Sequence, residues 1–226
     1  MGGEFLQLSG TPLHEERVWE VDGIAVLRAE VTLPRCGGRG WRARRFDRYY
    51  RRYARAYLRY CEFELFPRAA EQMRSAMERS APWECAHAAL DYTVTLTRGG
   101  LVSLYTDGRE EHLPPRLTIR RAETWDLRRA LLLPLTDFFP PKTAVRSLLV
   151  RHARETAAAQ SAAGTAAYYP NYRTMLHRAF SARNFYLAPD GLHWFYPMYS
   201  AAPAAEGIAD FFLPYGEDGP FLPPEA

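Results

Sequence analysis

Residues 184–196 read NFYLAPDGLHWFY, and this stretch decides the fold of the last third of the chain. The pair Asp190-Gly191 favours the positive backbone angles that a tight hairpin turn requires. Aromatic and aliphatic residues on both sides of that pair are typical of strands. The stretch therefore predicts two antiparallel strands joined by a tight turn. Two earlier stretches predict hairpins for the same reason, Val18–Leu33 around Asp22-Gly23 and Leu90–Tyr105 around Gly99-Gly100.

A long helix is predicted between the first two hairpins, at about 43–65, because apolar residues recur there every three or four positions. Arginines occupy the remaining surface of the same segment. Pro67 is expected to kink this helix or to begin a second one that runs to about Arg79. The apolar stripe consists of Phe46, Tyr49, Tyr50, Tyr53, Tyr57, Tyr60 and Cys61, and the arginines are Arg44, Arg48, Arg51, Arg52, Arg55 and Arg59.

Further elements complete an α+β fold class. We expect a mainly antiparallel sheet built from hairpins, with the long amphipathic helix laid across it through the tyrosine stripe and two shorter helices packed on it. Asp107-Gly108 predicts a turn. Strands are predicted at 117–125 and 208–214, and the shorter helices at about 142–160 and from Pro170 to Phe180.

The predicted domain organisation is simple. Residues 1–15 are expected to form an irregular arm, 16–215 a single α+β domain, and 216–226 a loose tail rich in proline. Two halves, 16–84 and 85–215, are the alternative for the domain.

The overall composition and net charge exclude few classes of protein. The 226 residues are 47% hydrophobic, which is enough for a normal core, and the formal net charge is only +3. Lys142 is the only lysine, so the basic residues are almost all arginine. The start of the chain has no signal peptide, and no apolar run is long enough to span a bilayer. As written, the sequence therefore predicts a cytoplasmic protein without a membrane span.

The C-terminal run carries a resemblance to a known family. Asn184–Leu187, the Asp190-Gly191 turn, Tyr199 and Ala202-Pro203 are followed by Gly207 and by Leu213-Pro214-Tyr215. This order resembles the C-terminal domain of the RsiV-type anti-sigma factors, which peptidoglycan deacetylases of the PdaC type also carry outside their catalytic part. Two upstream pieces are similar to the family's Asp-Leu and Asp-Leu-Phe elements, Thr124–Leu127 and Leu135–Phe139.

The resemblance implies a function that the residues alone do not. The outer domain of RsiV-type proteins binds lysozyme, so the likeness implies a non-catalytic sensor module that is located outside the cytoplasm. Its ligand would be lysozyme, another protein or a peptidoglycan fragment. Residues Tyr105–His112 depart from the family, which commonly has a Gly-Gly-Ala-His-like stretch there. A stand-alone relative of the sensor domain therefore fits better than a complete anti-sigma factor.

The binding site is expected in the loop 196–205, chiefly at Tyr196, Pro197 and Tyr199. Tyrosine offers a large contact area with few rotatable bonds, and proline lowers the entropy lost on binding. Packing of Tyr196 and Tyr199 over the end of the sheet is the alternative interpretation.

Other chemical signals favour structural roles. Glu110-Glu111-His112 lacks the converging ligands of a metal site, so neither a metal nor a cofactor is expected. Asp126 and Asp137 could form an acid/base pair, but turn formation is the ordinary role of Asp137, and Asp126 is expected to end a strand. Cys36, Cys61 and Cys85 are expected to be reduced thiols, with one disulfide plus a free thiol as the alternative.

Two other function classes stay open. The arginines and tyrosines of 44–59 could bind nucleic acid in the cytosol, although the shared face of the tyrosines favours packing instead, so we do not expect nucleic acid. An enzyme of unrecognised type is the last alternative, since no nucleophile elbow and no phosphate-binding loop is present.

Overall fold

A computed structural model of the protein describes residues 7–115 and 117–222. The chain divides into two compact units. The first contains the residues up to Tyr92 together with Thr106–Thr118, and the second contains Thr93–Tyr105 and the residues from Ile119 onward. The part of the predicted arm at 1–6 and the part of the predicted tail at 223–226 lie outside the described residues.

The strands and helices alternate in blocks, as an α+β fold requires. One sheet has the strand order β1-β2-β3-β4-β5-β6, and a second sheet has the order β7-β8-β9. The elements in chain order are β1 (Leu13–Val21), β2 (Ile24–Leu33), α1 (Trp41–Tyr60), a π-helical turn (Cys61–Leu65), α2 (Phe66–Glu78), β3 (Ala86–Arg98), β4 (Leu101–Glu111), β5 (Thr118–Asp126), β6 (Leu131–Leu132), a 3-10 turn (Leu135–Phe138), α3 (Val145–Ala163), α4 (Tyr172–Ala179), β7 (Phe185–Ala188), β8 (Gly191–Tyr196) and β9 (Ala209–Pro214).

The prediction that all three hairpins share one sheet was wrong, because the third hairpin, β7–β8, belongs to a separate sheet. Within the six-stranded sheet, β2 pairs with β3 in parallel. A parallel pair needs a long crossover connection, and the segment containing α1 and α2 supplies it. The predicted turn at Asp107-Gly108 was also wrong, because β4 continues through that pair to Glu111.

The β1–β2 hairpin of the first unit turns at Asp22-Gly23. Their φ angles of 51° and 77° are both positive, as a tight two-residue hairpin turn requires. The strand alternation buries Leu27, Ala29 and Val31 on one face of β2. The same segment, Leu27–Val31, forms the parallel pair with Ala86–Leu90.

Helix α1 packs through its apolar side and leaves its arginines in solvent. Phe46, Tyr50 and Tyr57 are buried, and the Tyr57 hydroxyl donates to the carbonyl oxygen of Ala89 at 3.0 Å. Pro67 is the second residue of α2, which follows the π-helical turn without a break because Leu65 and Phe66 both have right-handed helical angles. The exposed arginines include Arg44, Arg48, Arg51, Arg52, Arg55 and Arg59.

The second unit has its core between the three-stranded sheet and α3 and α4. Alternate residues of β8, Leu192, Trp194 and Tyr196, point into this core, where Leu149 of α3 and Leu176 of α4 are also buried. Gly164 ends α3 in the left-handed conformation, with φ 68°.

A buried serine on β4 connects that strand to β5 and β7 within the second unit. The Ser103 hydroxyl accepts the backbone N–H of Leu187 at 2.8 Å and lies 2.9 Å from the Thr124 hydroxyl oxygen. Ser103 and Thr124 are almost completely buried, so these bonds satisfy polar groups that water cannot reach. Among the residues that the structure describes, no helix combines the length and apolar character needed to cross a bilayer.

Candidate functional site

A pocket of about 290 Å³ lies within the second unit. This volume is at the small end of the range for ligand pockets, so it suits a fragment such as one sugar ring or a short peptide. Its walls combine opposite charges with apolar surface. The lining residues are Arg98, Gly99, Leu101, Asp126, Arg128, Leu133, Asp137, Phe138, Phe221 and Leu222.

Two turns form one side of the pocket. Gly99 and Gly100 have φ angles of 52° and 79°, and the carbonyl oxygen of Gly100 accepts the N–H of Leu127 at 2.8 Å. The Arg128 side chain lies across Gly100, where a Cβ atom would come within 2.9 Å of Arg128 Cγ and Nε. Glycine thus permits the positive φ at this position, and its missing Cβ leaves room for the Arg128 side chain.

Asp126 organises the second of these turns. Its Oδ1 atom accepts the backbone N–H groups of Arg128 at 2.9 Å and of Arg129 at 3.2 Å. These bonds hold the carboxylate in place at the end of β5. Asp126 ends β5, as the sequence predicted, and it also organises the following turn and lines the pocket.

The 3-10 turn Leu135–Phe138 forms another side of the pocket. Phe138 is buried, and its ring packs on that of Phe185 with centroids 5.8 Å apart. Asp137, in the same turn, is exposed. The turn thus combines an apolar anchor with an accessible carboxylate.

The C-terminal segment completes the wall. The N–H of Phe221 donates to the carbonyl oxygen of Phe138 at 2.8 Å. Gly219 has φ 82°, and a Cβ atom there would lie 3.0 Å from Phe139 Cδ1. Pro220 is buried. The segment up to Leu222 is therefore packed against the 3-10 turn rather than detached from it.

The electrostatics of the pocket are mixed. Asp126 and Asp137 supply carboxylates, Arg98 and Arg128 supply guanidinium groups, and the apolar surface lies among them. Such a lining can accept hydrogen bonds from amines or hydroxyl groups and donate bidentate bonds to a carboxylate. A ligand with charges of both signs and some apolar surface would match it.

The sequence-predicted binding residues lie in two different environments. Tyr196 has no exposed surface and belongs to the core, so its side chain cannot touch a ligand in this conformation. Pro197 is exposed, and Tyr199 is 38% exposed with φ 63°. Ser200 donates its N–H to the Pro197 carbonyl oxygen at 3.1 Å, which closes a tight turn. Among the described residues, the pocket lining does not include Tyr196, Pro197 or Tyr199.

A second polar cluster lies on the three-stranded sheet. The Nδ1 atom of His193 is 3.1 Å from Asp210 Oδ1, and its Nε2 atom is 3.0 Å from Asp190 Oδ1. The Tyr186 hydroxyl donates to Asp210 Oδ2 at 2.8 Å, and its ring stacks on the imidazole. Arg120 lies 3.5 Å from the same Oδ2 atom.

The charges of this cluster support one another. Burial alone lowers the pKa of His193, but the hydrogen bonds to Asp210 and Asp190 outweigh it, so the pKa is raised. The bond from His193 lowers the pKa of Asp190. Burial, with the nearby Asp210 carboxylate, raises the pKa of Tyr186. Both ring nitrogens of His193 are engaged, which suits a structural clasp better than proton transfer to a ligand.

Possible nucleophiles and metal ligands lie elsewhere. Cys36 and Cys61 are buried free thiols, and burial is the main cause that raises the pKa of each to about 12. Such thiols are poor nucleophiles.

On the β1–β2 hairpin, His14, Glu16 and Glu30 bring one potential ligand atom each within 4.8 Å of one another. His14 and Glu16 are exposed, and the hydrogen bond between His14 Nε2 and Glu16 Oε1 at 3.3 Å already explains their proximity.

The pocket was not predicted from the sequence. The signals that could have revealed it are the Gly99-Gly100 pair and the two aspartates, Asp126 and Asp137, which the fold brings to one cavity. They lie far apart in the chain, so their convergence depends on the pairing of β3, β4 and β5.

Part of the chain is similar to a known protein family. Residues 136–216 match the family model described as a protein of unknown function, DUF3298. No curated protein matches the chain. The matched segment includes the C-terminal run from Asn184 to Tyr215 and the Asp137 side of the pocket.

Two solved structures share the fold. A member of the DUF3298 family from Bacteroides fragilis NCTC 9343 is similar at 16% identity, with 93% of this chain and 90% of that chain covered and a TM-score of 0.63. A DUF3298 family protein from Pseudomonas aeruginosa PAO1 is similar at 14% identity, with 93% and 91% covered and a TM-score of 0.55. At these identities the likeness concerns the fold alone.

Proposed function

We propose that this chain is a non-catalytic binding module of the RsiV sensor type, and that its pocket binds a peptidoglycan fragment. The observation that carries the proposal is a lining that combines opposite charges with apolar surface and includes the exposed residues Arg128 and Asp137. The resemblance of the C-terminal run to RsiV-type proteins supports the cell-wall context.

The chemistry of the ligand follows from the lining. Fragments of peptidoglycan carry peptide carboxylates, amines, sugar hydroxyl groups and acetamido methyl groups. Arg98 and Arg128 would bind a carboxylate, and Asp126 and Asp137 would accept hydrogen bonds from amines or hydroxyl groups. Phe221 and Leu222, which are exposed, offer apolar surface to methyl groups. A volume of about 290 Å³ limits the bound part to one or two small units.

The test is a calorimetric titration with muropeptides released from peptidoglycan. Arg128→Gln is expected to weaken binding about tenfold or more, since a charge-assisted hydrogen bond is lost. Arg129→Gln is the matched control, because Arg129 is an exposed neighbour that does not line the pocket. Equal affinity of the two variants, or no binding by the unaltered protein, would refute the pocket as the ligand site.

A protein ligand such as lysozyme is the second candidate, and it would contact the loop 196–205. Tyr199 is a non-glycine residue held at positive φ, and such conformations cluster at functional sites. Pro197 and Tyr199 are accessible for contact, whereas Tyr196 is not. Titration with lysozyme distinguishes the two, because Tyr199→Ala would weaken a protein complex and leave muropeptide binding at the pocket unchanged.

A further inference from the structure

The outer face of α1 is a continuous basic stripe. The arginines follow one another at spacings of four, four, three and four residues, so they project from the same side of the helix. All are exposed, and the helix of 20 residues is about 30 Å long. We call this set the arginine stripe: Arg44, Arg48, Arg52, Arg55 and Arg59.

No acidic side chain neutralises the stripe within the part of the chain that the structure describes. Asp47, the one acid within α1, is buried and accepts the N–H of Cys36 at 2.7 Å. Glu62 pairs with Arg17 at 3.7 Å. Glu64 is exposed beyond the end of the stripe. The guanidinium groups are therefore available to an external anion.

Large aromatic side chains stand at both ends of the stripe. Trp41, three residues before Arg44, is 56% exposed, and Phe63, four residues after Arg59, is 67% exposed. These spacings put both rings on the same side of the helix as the arginines. Both rings are therefore open to contact with a partner surface.

We propose that the arginine stripe and its two aromatic ends dock on the surface of a bilayer that contains anionic phospholipids. Guanidinium groups bind phosphate in a bidentate manner, and aromatic rings favour the headgroup level of a membrane. A straight row along one helix matches a flat surface, so that all of its side chains can make contact together.

The placement of the aromatic residues favours a bilayer over single-stranded nucleic acid. Bases stack on rings that alternate with the basic residues. The tyrosines of α1 lie outside the stripe, and Tyr50 and Tyr57 are buried. The exposed rings stand at its ends, as a membrane-contacting helix would have them.

The apolar side of α1 is already packed within the first unit, so the helix does not need to embed in the hydrocarbon. Binding would be peripheral and mainly electrostatic. The affinity should therefore fall as ionic strength rises.

The experiment is a vesicle sedimentation assay with the full chain. The probes are vesicles of phosphatidylcholine alone and vesicles with about one quarter phosphatidylglycerol, at low salt and at about 150 mM salt. We expect binding to the anionic vesicles only, and weaker binding at the higher salt. Fluorescence of Trp41 should shift to shorter wavelength on binding, and Trp41→Leu should remove that shift.

Matched charge variants separate the stripe from net charge. Replacing Arg48, Arg52 and Arg55 by Gln lowers the formal net charge from +3 to 0, and so does replacing Arg151, Arg178 and Arg183, which are exposed elsewhere. The first triple should lose about 100-fold in vesicle affinity, because each arginine near an anionic surface contributes several-fold. The second triple should keep most of its affinity.

Three results would overturn the proposal. One is the absence of binding to anionic vesicles at low salt by a folded protein, as judged by its circular dichroism. Another is an equal loss of affinity in the two triples. The third is tight binding to a single-stranded oligonucleotide at about 150 mM salt that requires the stripe, which would assign the surface to nucleic acid instead.

Discussion

The Arg128 side chain occupies the space that a Cβ atom on Gly100 would need, with Arg128 Cγ and Nε 2.9 Å from that position. Arg128 is also one of the residues that line the pocket. Gly100 is thus linked to the pocket through Arg128, although Gly100 itself does not line it.

Gly100→Ala is expected to destabilise the fold by about 1 kcal/mol, because alanine is strained at φ 79°. It should also displace Arg128 and weaken muropeptide binding. Gly164→Ala is the control, since φ there is 68° and no atom lies within 4 Å of the added Cβ. Chemical denaturation and calorimetry check both effects. Both variants should lose similar stability, and an unchanged affinity in Gly100→Ala would contradict the role of Arg128.

Ser103→Ala removes the acceptor for the buried N–H of Leu187. A buried donor without a partner costs roughly 1–3 kcal/mol, so the free energy of unfolding should fall by that amount. Ser181→Ala serves as the control, because its hydroxyl accepts an exposed N–H from Arg183 that water can satisfy. Urea denaturation measures both, and a loss in Ser103→Ala no larger than in the control would contradict the prediction.

His193 should make stability depend on pH. The pKa of His193 is raised in the folded chain. Its pairing with Asp210 and Asp190 therefore stabilises the fold to the full extent at pH values below the unfolded pKa of about 6.5. That contribution is lost as the pH rises through the folded pKa. The stability difference between the unaltered protein and His193→Gln should therefore shrink from about pH 6 to pH 9.

Two measurements check the histidine prediction. Denaturation across the pH range gives the stability difference, with His177→Gln as the control because His177 is exposed on α4. Titration by NMR should show that Asp210→Asn lowers the pKa of His193. A stability difference that grows with pH would contradict a stabilising interaction between protonated His193 and the two aspartates.

Tyr196 and Tyr199 should respond oppositely to truncation. Tyr196→Ala is expected to cost about 3–5 kcal/mol, as for a buried aromatic in a core. Tyr199→Ala should change stability by less than about 1 kcal/mol, since its side chain is exposed. Melting temperatures decide this, and a large loss in Tyr199→Ala would make that residue structural and remove it as a ligand contact.

The turns that the sequence predicted are present where the conformation depends mainly on residues adjacent in the chain. Asp22-Gly23 and Gly99-Gly100 adopt positive φ and join adjacent strands, because glycine permits that conformation cheaply. The turn predicted at Asp107-Gly108 was wrong for a complementary reason. One-sided burial of Thr106, Gly108 and Glu110 keeps the chain extended there, and such context overrides local propensity.

The sequence did not predict which elements that are far apart in the chain lie next to each other. The parallel pairing of Leu27–Val31 with Ala86–Leu90 depends on where the chain returns after α2. The pocket likewise needs Gly99, Asp126 and Asp137 to converge from separate elements. Tyr196 illustrates the limit within one strand, because alternation alone did not say which side of β8 faces the core.

The π-helical turn Cys61–Leu65 behaves as an insertion that the helix has absorbed. Cys61, Leu65, Ala69 and Met73 are buried at successive spacings of four, whereas a regular helix would rotate them steadily out of the core. The wider turn corrects that drift at the cost of one extra residue, and it is Phe63 that projects outward. Relatives with a straight helix here should align with a one-residue gap, and deletion of Phe63 should leave the same faces of α1 and α2 buried.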